Sequence, residues 1–406
     1  MNLFFIIPLF LAFCYPKSMN VFETALKILE KIRQNGGTAY IAGGAVRDLL
    51  MGSSPNDVDI VTSLSTDELR PLFKKTIEVG VQFGILVVVE DGHRFEIATF
   101  RTEAGYKDGR RPDIILAGTP EEDAKRRDFT INGMFLDPFT NETIDFVGGK
   151  EDLKEKKIRA IGNPHDRFRE DRLRMIRAIR YASRFQFHID PTTQEAIKEH
   201  APTLLPAVSF ERILQELEKM HGDKNLCHAL IEMQRLGLLQ AIFPPLENMS
   251  TDTILLLNQI QTAPVILQLK SLLDFLPQQE RFDWLKRLKF SQRDLDLLMF
   301  SDGLLNSIEK GSLQQRVHLY ASPHFEPASL LLPQDAYHFT RDEKKIYYDE
   351  IERIQKKKPI VTAQDLLEKG VKAGPEMGVL LKEAENIALQ HKLQDKHEIL
   401  KRLFSK

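Results

Sequence analysis

The spacing of apolar and polar residues divides the chain into two regimes. From Val21 to Gln34 apolar positions recur at helical spacing and "NGG" ends the run, which predicts an amphipathic helix with a glycine stop. Ala39 to Ala42 predicts a short strand; "GGAVRDLLMG" then returns to the helical period and stops at Gly52, giving strand, glycine turn and short helix. "DVDIV" alternates as a strand does, and "VGVQFGILVVVEDGHRFEIATFR" predicts two strands joined at Asp91-Gly92. Helical patterns in "TDELRPLFKK" and "PEEDAKRRDFTINGMFL", and a last strand in "TIDFVGG", complete a mixed α/β first third that closes near Gly149. Beyond it helical spacing dominates, through Arg172 to Phe185, Ser209 to Met220, Leu226 to Ile242, Thr253 to Phe275 and on to Phe404, which predicts an all-helical remainder without internal repeats. Asn258, Gln259, Gln261, Pro264 and Lys270 interrupt the most leucine-rich stretch, so it reads as buried core helices and not as a membrane span.

Composition adds little to this picture. A formal charge of -2 over 406 residues neither demands nor excludes a polyanionic partner, so any basic surface has to be local. Lys150 to Arg184 is such a place, with twelve Lys/Arg against six Asp/Glu; it reads as a solvated face or as a set of contacts to RNA phosphates. Cys14 and Cys227 are too few for a disulfide framework, which favours a reducing, cytoplasmic setting. The opening "MNLFFIIPLFLAFCYPKSMN" is too short to span a bilayer and lacks a basic flank; it reads as an upstream extension (1–18) with translation from Met19, or as a signal or anchor. The eleven histidines show no pair at metal-ligand spacing.

Chemistry concentrates in "IAGGAVRDLLMGSSPNDVDIVTSL". On a strand, residues i and i+2 share a face, so Asp57 and Asp59 project together while Val58 and Ile60 turn to the core. Parallel carboxylates repel unless a cation lies between them, and hard oxygen donors suit Mg²⁺; the plain alternative is a strand cap or a lysine partner. Glu96, flanked by core-facing Phe95 and Ile97, supplies a third carboxylate if its strand pairs beside the first. Upstream, Gly43 and Gly44 let backbone N–H groups face an anion at a helix start, and Arg47 adds a guanidinium grip on phosphate.

In this order, "GGAVRD", "DVDIVT", "EIATFR", "GYKDGRRPD", "EEDAKRRDFTIN", "IDFVGGKEDL" and "EDRLRMIRAIRYASRF" resemble the motifs of the class II tRNA nucleotidyltransferase and bacterial poly(A) polymerase family, over roughly residues 35 to 220. The resemblance implies an α+β fold: a polymerase-β-like nucleotidyltransferase head (19–149), then an all-α neck (150–220) and an RNA-binding body and tail (221–406). It assigns Gly44 and Arg47 to the triphosphate, Asp57 and Asp59 to Mg²⁺, and Glu96 as third carboxylate. Arg127, Asp128 and Asn132 would lie by the ribose, Asp171 and Arg174 would read the base, and Arg177 and Arg180 would sit near the nucleotide. As residues on one helical face, Asp128 and Asn132 fit ribose hydroxyls, or else a cap and a buried amide.

Asp171 and Arg174 have a chemistry of their own. Three apart, they are neighbours on a helix, and a carboxylate accepting from an amino group beside a guanidinium donating to a ring nitrogen matches cytosine and adenine but not uracil or guanine. An intrahelical ion pair is the plain alternative. The resemblance thus implies an enzyme that adds CCA to tRNA 3′ ends from CTP and ATP, with two Mg²⁺ ions and no stable membrane association. A poly(A) polymerase, an enzyme adding only A or CC, or a non-catalytic RNA-binding relative share much of the pattern, and "RTEAGYKDGRRPD", similar to the flexible loop of CCA-adding members, favours the first.

Overall fold

The computed structural model describes residues 16–55, 57–78, 84–104 and 114–405, and the chain divides after Met249 into two compact units. Most of the N-terminal segment (1–18) and of the loop-like "RTEAGYKDGRRPD" lies outside the described residues. What is described of the latter is a strand, β6 (Arg101–Ala104), antiparallel to β7 (Ile114–Ala117). The first helix, α1 (Pro16–Gln34), begins ahead of Val21, where the apolar pattern starts.

The first unit is built on a seven-stranded sheet in the order β3-β4-β5-β2-β1-β8-β9. Its strands are β1 (Ala39–Ala42), β2 (Asp59–Thr62), β3 (Thr76–Ile77), β4 (Ile85–Glu90), β5 (His93–Thr99), β8 (Phe135–Asp137) and β9 (Glu142–Ile144). Asp91 and Gly92, both at positive φ, make the predicted β4–β5 turn. One pairing in this sheet, β2 with β5, is parallel; it sets Ile60 opposite Ile97, and so brings Asp59 beside Glu96 one step earlier. Ile60, Phe95 and Ile97 pack with Ile28, Leu29 and Ile32 of α1 on one face. The other face carries Val61, Phe100 and Phe135, with the two phenylalanine rings edge to face at 6.1 Å. Each such fully buried side chain is worth about 1.5–3 kcal/mol, which fixes the strand faces and hence where the acids point.

The pattern misleads where elements are short. "DVDIV" is a strand only from Asp59; Asp57 lies in the bend before it. "PEEDAKRRDFTINGMFL" is not one helix but α2 (Pro120–Lys125), an irregular turn, a 3-10 turn at Thr130–Asn132 and then β8. At the end of α2 the completely enclosed Asp123 accepts from Arg126 (2.9 and 2.6 Å) and Arg127 (3.2 and 3.1 Å), holding both guanidinium groups beside the irregular turn. After Gly149 the chain is not purely helical, because Lys157–Ile158 and His188–Ile189 pair as two-residue parallel strands too short to show a period. The helices that matter most here are α3 (Pro164–Glu170), α4 (Leu173–Phe185), α5 (Pro191–His200) and α6 (Phe210–Gly222).

The second unit is helical throughout its described residues. The leucine-rich stretch is broken by Pro264 into short turns and a helix at Val265–Leu272; Lys270, nearly buried, donates to Asp274 at 2.8 Å. A separate core gathers Leu366, Ile387, Ala388 and Ile399. Among the described residues no helix is long and apolar enough to cross a membrane.

In "IDFVGG", Asp145 accepts from the backbone N–H groups of Val147, Gly148, Gly149 and Lys150 at 2.8–3.1 Å, starting a helix at Gly149. A Cβ on Gly149 would lie 2.3 Å from the Thr130 carbonyl oxygen and 2.8 Å from Met134. Gly149→Ala should therefore cost about 1–3 kcal/mol by overpacking, read as a lower urea midpoint with unchanged slope.

Candidate active site

The acids predicted to hold metal project from one side of the sheet. Val58 and Ile60 are buried while Asp57 and Asp59 are exposed, and Phe95 and Ile97 are buried while Glu96 is exposed. Asp59 titrates above the usual aspartate range, because its surroundings desolvate the carboxylate and because Glu96 and, less strongly, Asp57 repel its charge; Arg127 opposes both effects. Among the described residues, three ligating side chains converge within 4.8 Å only elsewhere, at His165, Glu199 and His200.

Asp59 forms part of the wall of a cleft of about 450 Å³ whose other lining includes Gly43, Gly44, Arg47, Arg127, Asp128, Asn132, Asp171, Arg174, Arg177 and Arg180. Asp57 and Glu96 are outside that lining. Every predicted nucleotide-binding residue is thus brought to one place, and eight arginines there face three aspartates. Such an excess suits a polyphosphate.

Gly43 starts this wall. Its φ of +67° and the Arg127 Nη1 atom 2.9 Å from where a Cβ would lie exclude a larger residue. Its N–H, however, donates to the Met134 carbonyl at 3.1 Å, so the amides offered to an anion are those after it, in the helix Gly44–Leu50. Arg47 is no open fork either: it is almost buried and donates to Asp48 (2.9 and 2.7 Å) and to Asn132 Oδ1 (2.5 Å). Three of its five N–H groups are spent and two remain. Asn132 in turn donates to Asp128 Oδ1 at 3.1 Å, and Asp128 Oδ2 accepts from Arg177 at 2.8 and 2.5 Å. The expectation that Asp128 and Asn132 share one helical face does not hold: they are joined through a turn, with the Asn132 amide buried. Burial works against the Asp128 charge, yet Arg177 and Asn132 hold its carboxyl at about 2.

The base-reading pair is arranged differently from the expectation. Asp171 is not on a helix with Arg174: its extended backbone (φ -150°, ψ 106°) separates α3 from α4. Nor do the two pair with each other in the manner of an intrahelical ion pair. Asp171 accepts from Arg212 of α6 at 3.1 and 2.7 Å and from the Leu173 N–H at 3.0 Å, while Arg174 donates to Glu170 (2.5 Å) and to the carbonyls of Arg167 and Arg126. Each is held by its own partners, which leaves one lone-pair site on Asp171 and two N–H groups on Arg174. Arg180 lies deeper, donating to the buried Glu216 at 2.6 Å. Burial again opposes that charge, and Arg180 and Lys219 still keep Glu216 below the usual carboxylate range.

Tyr181 and Phe185, stacked at 6.1 Å and 6°, let so many cations share the space. Arg180 lies 4.2 Å from the Tyr181 ring centre and Arg47 lies 4.5 Å from that of Phe185, with Arg177 and Arg184 on the same rings at 5.4 and 5.2 Å. Sequence reasoning missed this platform, although Arg177, Tyr181 and Phe185 stand four apart. It also missed Arg126, Arg184 and Arg212; nothing local in the sequence points to Arg212, forty-one residues from Asp171.

Comparison with known proteins agrees with this architecture. Residues 39–159 match the family described as "Poly A polymerase head domain", and residues 186–249 match "Probable RNA and SrmB- binding site of polymerase A". The chain is 35% identical over 381 residues to a CCA-adding enzyme of Limosilactobacillus reuteri (strain DSM 20016), covering 89% of this chain and 91% of that one. A CCA-adding enzyme of Enterococcus faecalis (strain ATCC 700802 / V583) is 46% identical over 202 residues, 50% of this chain and 49% of the other. The Bacillus stearothermophilus CCA-adding enzyme, solved in complex with CTP, superposes with a TM-score of 0.76 at 28% identity, over 94% of this chain and 97% of that one.

The raised proton affinity of Asp59 has a stability consequence. Between the ordinary aspartate value and the raised one the folded chain binds more protons than the unfolded chain, so the ionised group costs stability at neutral pH and the cost fades as pH falls. Asp59→Asn should raise the melting temperature of the metal-free protein at pH 7 slightly, and the gain should shrink on acidification. Calorimetry in a chelating buffer measures both.

Proposed function

We infer the function from one premise: the chain belongs to the family of CCA-adding enzymes. It completes tRNA by adding CCA without a nucleic-acid template. The RNA 3′ hydroxyl attacks the α-phosphate of CTP or ATP, a new phosphodiester bond forms, and pyrophosphate leaves. The observation that carries this reading is one cleft with an acidic strand end on its wall, an arginine lining, and Asp171 and Arg174 held ready with unspent hydrogen-bonding capacity.

Asp57, Asp59 and Glu96 fit a divalent cation: three oxygen donors on one side of the sheet, one of them held above its usual range by desolvation and by the charge of Glu96, are a site in need of positive charge. Mg²⁺ is the cation we assign to them, and when bound it supplies charge at the reacting phosphate. Glu96 also serves to orient or deprotonate the attacking hydroxyl. The two unspent N–H groups of Arg47 and the amides following Gly43 take the triphosphate, with Arg177 and Arg180 adding charge and Arg127 bracing the Gly43 turn. Asp128 and Asn132 position the ribose. Asp171 accepts from the amino group of cytosine or adenine while Arg174 donates to the ring nitrogen, so uracil and guanine would set donor against donor. On this reading the head spans 19–149, the neck 150–220, and the helical body and tail, 221–406, hold the tRNA. A tRNA substrate and a chain with only two cysteines favour the cytoplasm.

Poly(A) synthesis uses the same head chemistry, but the relative matched over nine-tenths of both lengths adds CCA, which favours the first reading. Supplying tRNA that ends before CCA with each nucleotide singly and together decides between them. We expect two C residues from CTP and one A after both; a run of A from ATP alone would transfer the chain to the other class. In the same assay Asp57→Ala or Asp59→Ala should lower incorporation by at least about 10³-fold while tRNA binding persists. Arg174→Ala should bring UTP and GTP incorporation to within about tenfold of CTP and ATP; selectivity equal to that of the unaltered enzyme would remove Arg174 from the reader.

A further inference from the structure

We propose that His165, Glu199 and His200 form a binding site for a zinc-type transition-metal ion, separate from the acidic site and not used in the reaction. No local spacing announces it, since the histidines are thirty-five residues apart. The fold brings them together. His165 lies in the first turn of α3, and Glu199 and His200 close the last turn of α5, so the three side chains meet where the two helices pack.

The geometry is close to what such an ion requires. His165 Nδ1 is 3.2 Å from His200 Nε2 and 3.7 Å from Glu199 Oε2, and the three ligand atoms all lie within 4.8 Å of one another. Tetrahedral zinc with bonds of about 2.0–2.1 Å separates its ligand atoms by about 3.3 Å. The imidazole pair already has that separation, and Glu199, whose side chain is 62% exposed, turns freely to complete it. His200 is buried and His165 half-buried, so the site is walled on the protein side and open to a water ligand on the other.

Donor chemistry separates this site from the catalytic one. Two imidazoles and a carboxylate suit zinc, cobalt or nickel, whereas Mg²⁺ prefers all-oxygen ligands. Charge is balanced locally: Arg169 and Arg172 lie near enough to disfavour a cation, and Glu199 and the C-terminal dipole of α5 favour one. The consequence is mechanical. α3 runs from His165 directly to Glu170, which holds Arg174, and to Asp171, so a metal there pins the helix that leads into the base-reading residues.

A hydrogen bond between the two imidazoles would give the same 3.2 Å contact without metal, and experiment separates the two. Full-length, tag-free protein is stripped with chelator, saturated with Mg²⁺ and titrated with Co²⁺, whose visible absorption is strong in tetrahedral sites and weak in octahedral ones. We expect one equivalent with tetrahedral bands, displaced by Zn²⁺, and an affinity at least about 10-fold weaker in both His165→Gln and Glu199→Gln. These two positions are accessible, and melting of the metal-free variants verifies that they fold; Zn²⁺ should raise the melting temperature of the unaltered protein alone. Absence of the tetrahedral signal in the unaltered protein, or unchanged affinity in either variant, overturns the proposal.

Discussion

Asp128 is charged, largely enclosed, and supplied with partners from both sides: Asn132 from its own turn and Arg177 from α4. Breaking such a pair from one side leaves an uncompensated charge, at a cost of about 3–5 kcal/mol. The bond therefore fixes how the end of the sheet and the first helices after it meet. Asn132, held by Asp128, holds Arg47; Arg177, held by Asp128, donates to the Tyr181 hydroxyl at 3.0 Å. Loop, turn and helix are joined by a single line of hydrogen bonds, and the cleft is the space they enclose.

Asp123, Asp171 and Glu216 play comparable parts around that space. Asp123 holds Arg126 and Arg127, Asp171 holds Arg212 and Glu216 holds Arg180, so the positive lining is positioned by protein carboxylates before any ligand arrives. Preorganised donors of this kind cost no reorganisation when charge develops on a phosphate. The acidic trio is the reverse case. There Glu96 and Asp57 repel the charge of Asp59, and Arg127 offsets only part of the effect.

Much of this was legible in the sequence where a period or a turn residue carries the information. The alternation around Glu96 and the Asp91-Gly92 turn placed β4 and β5 correctly, and the spacing of Asp57, Val58, Asp59 and Ile60 told which side chains face the core. The ordered motifs point to eleven of the sixteen cleft residues; Arg126, Leu173, Tyr181, Arg184 and Arg212 are the others. The rest depended on contacts that a local window does not contain. The stretch that reads as one helix ends at Lys125, ahead of a turn and a strand too short to show a period, and Asp171 stands off the helix with its carboxylate paired to Arg212, far along the chain. His165 and His200 likewise meet only through the packing of two helices.

The ring stack on α4 also limits how this protein can vary. Arg177, Tyr181 and Phe185 share one face through steps of four residues, and each further residue turns an α-helix by about 100°. A one-residue insertion after Arg174 would swing every later guanidinium and ring out of the cleft, whatever side chain was added. The register of α4 is thus under tighter restraint than its composition, and length change belongs instead to solvent-facing connections such as the turn at Asp91-Gly92.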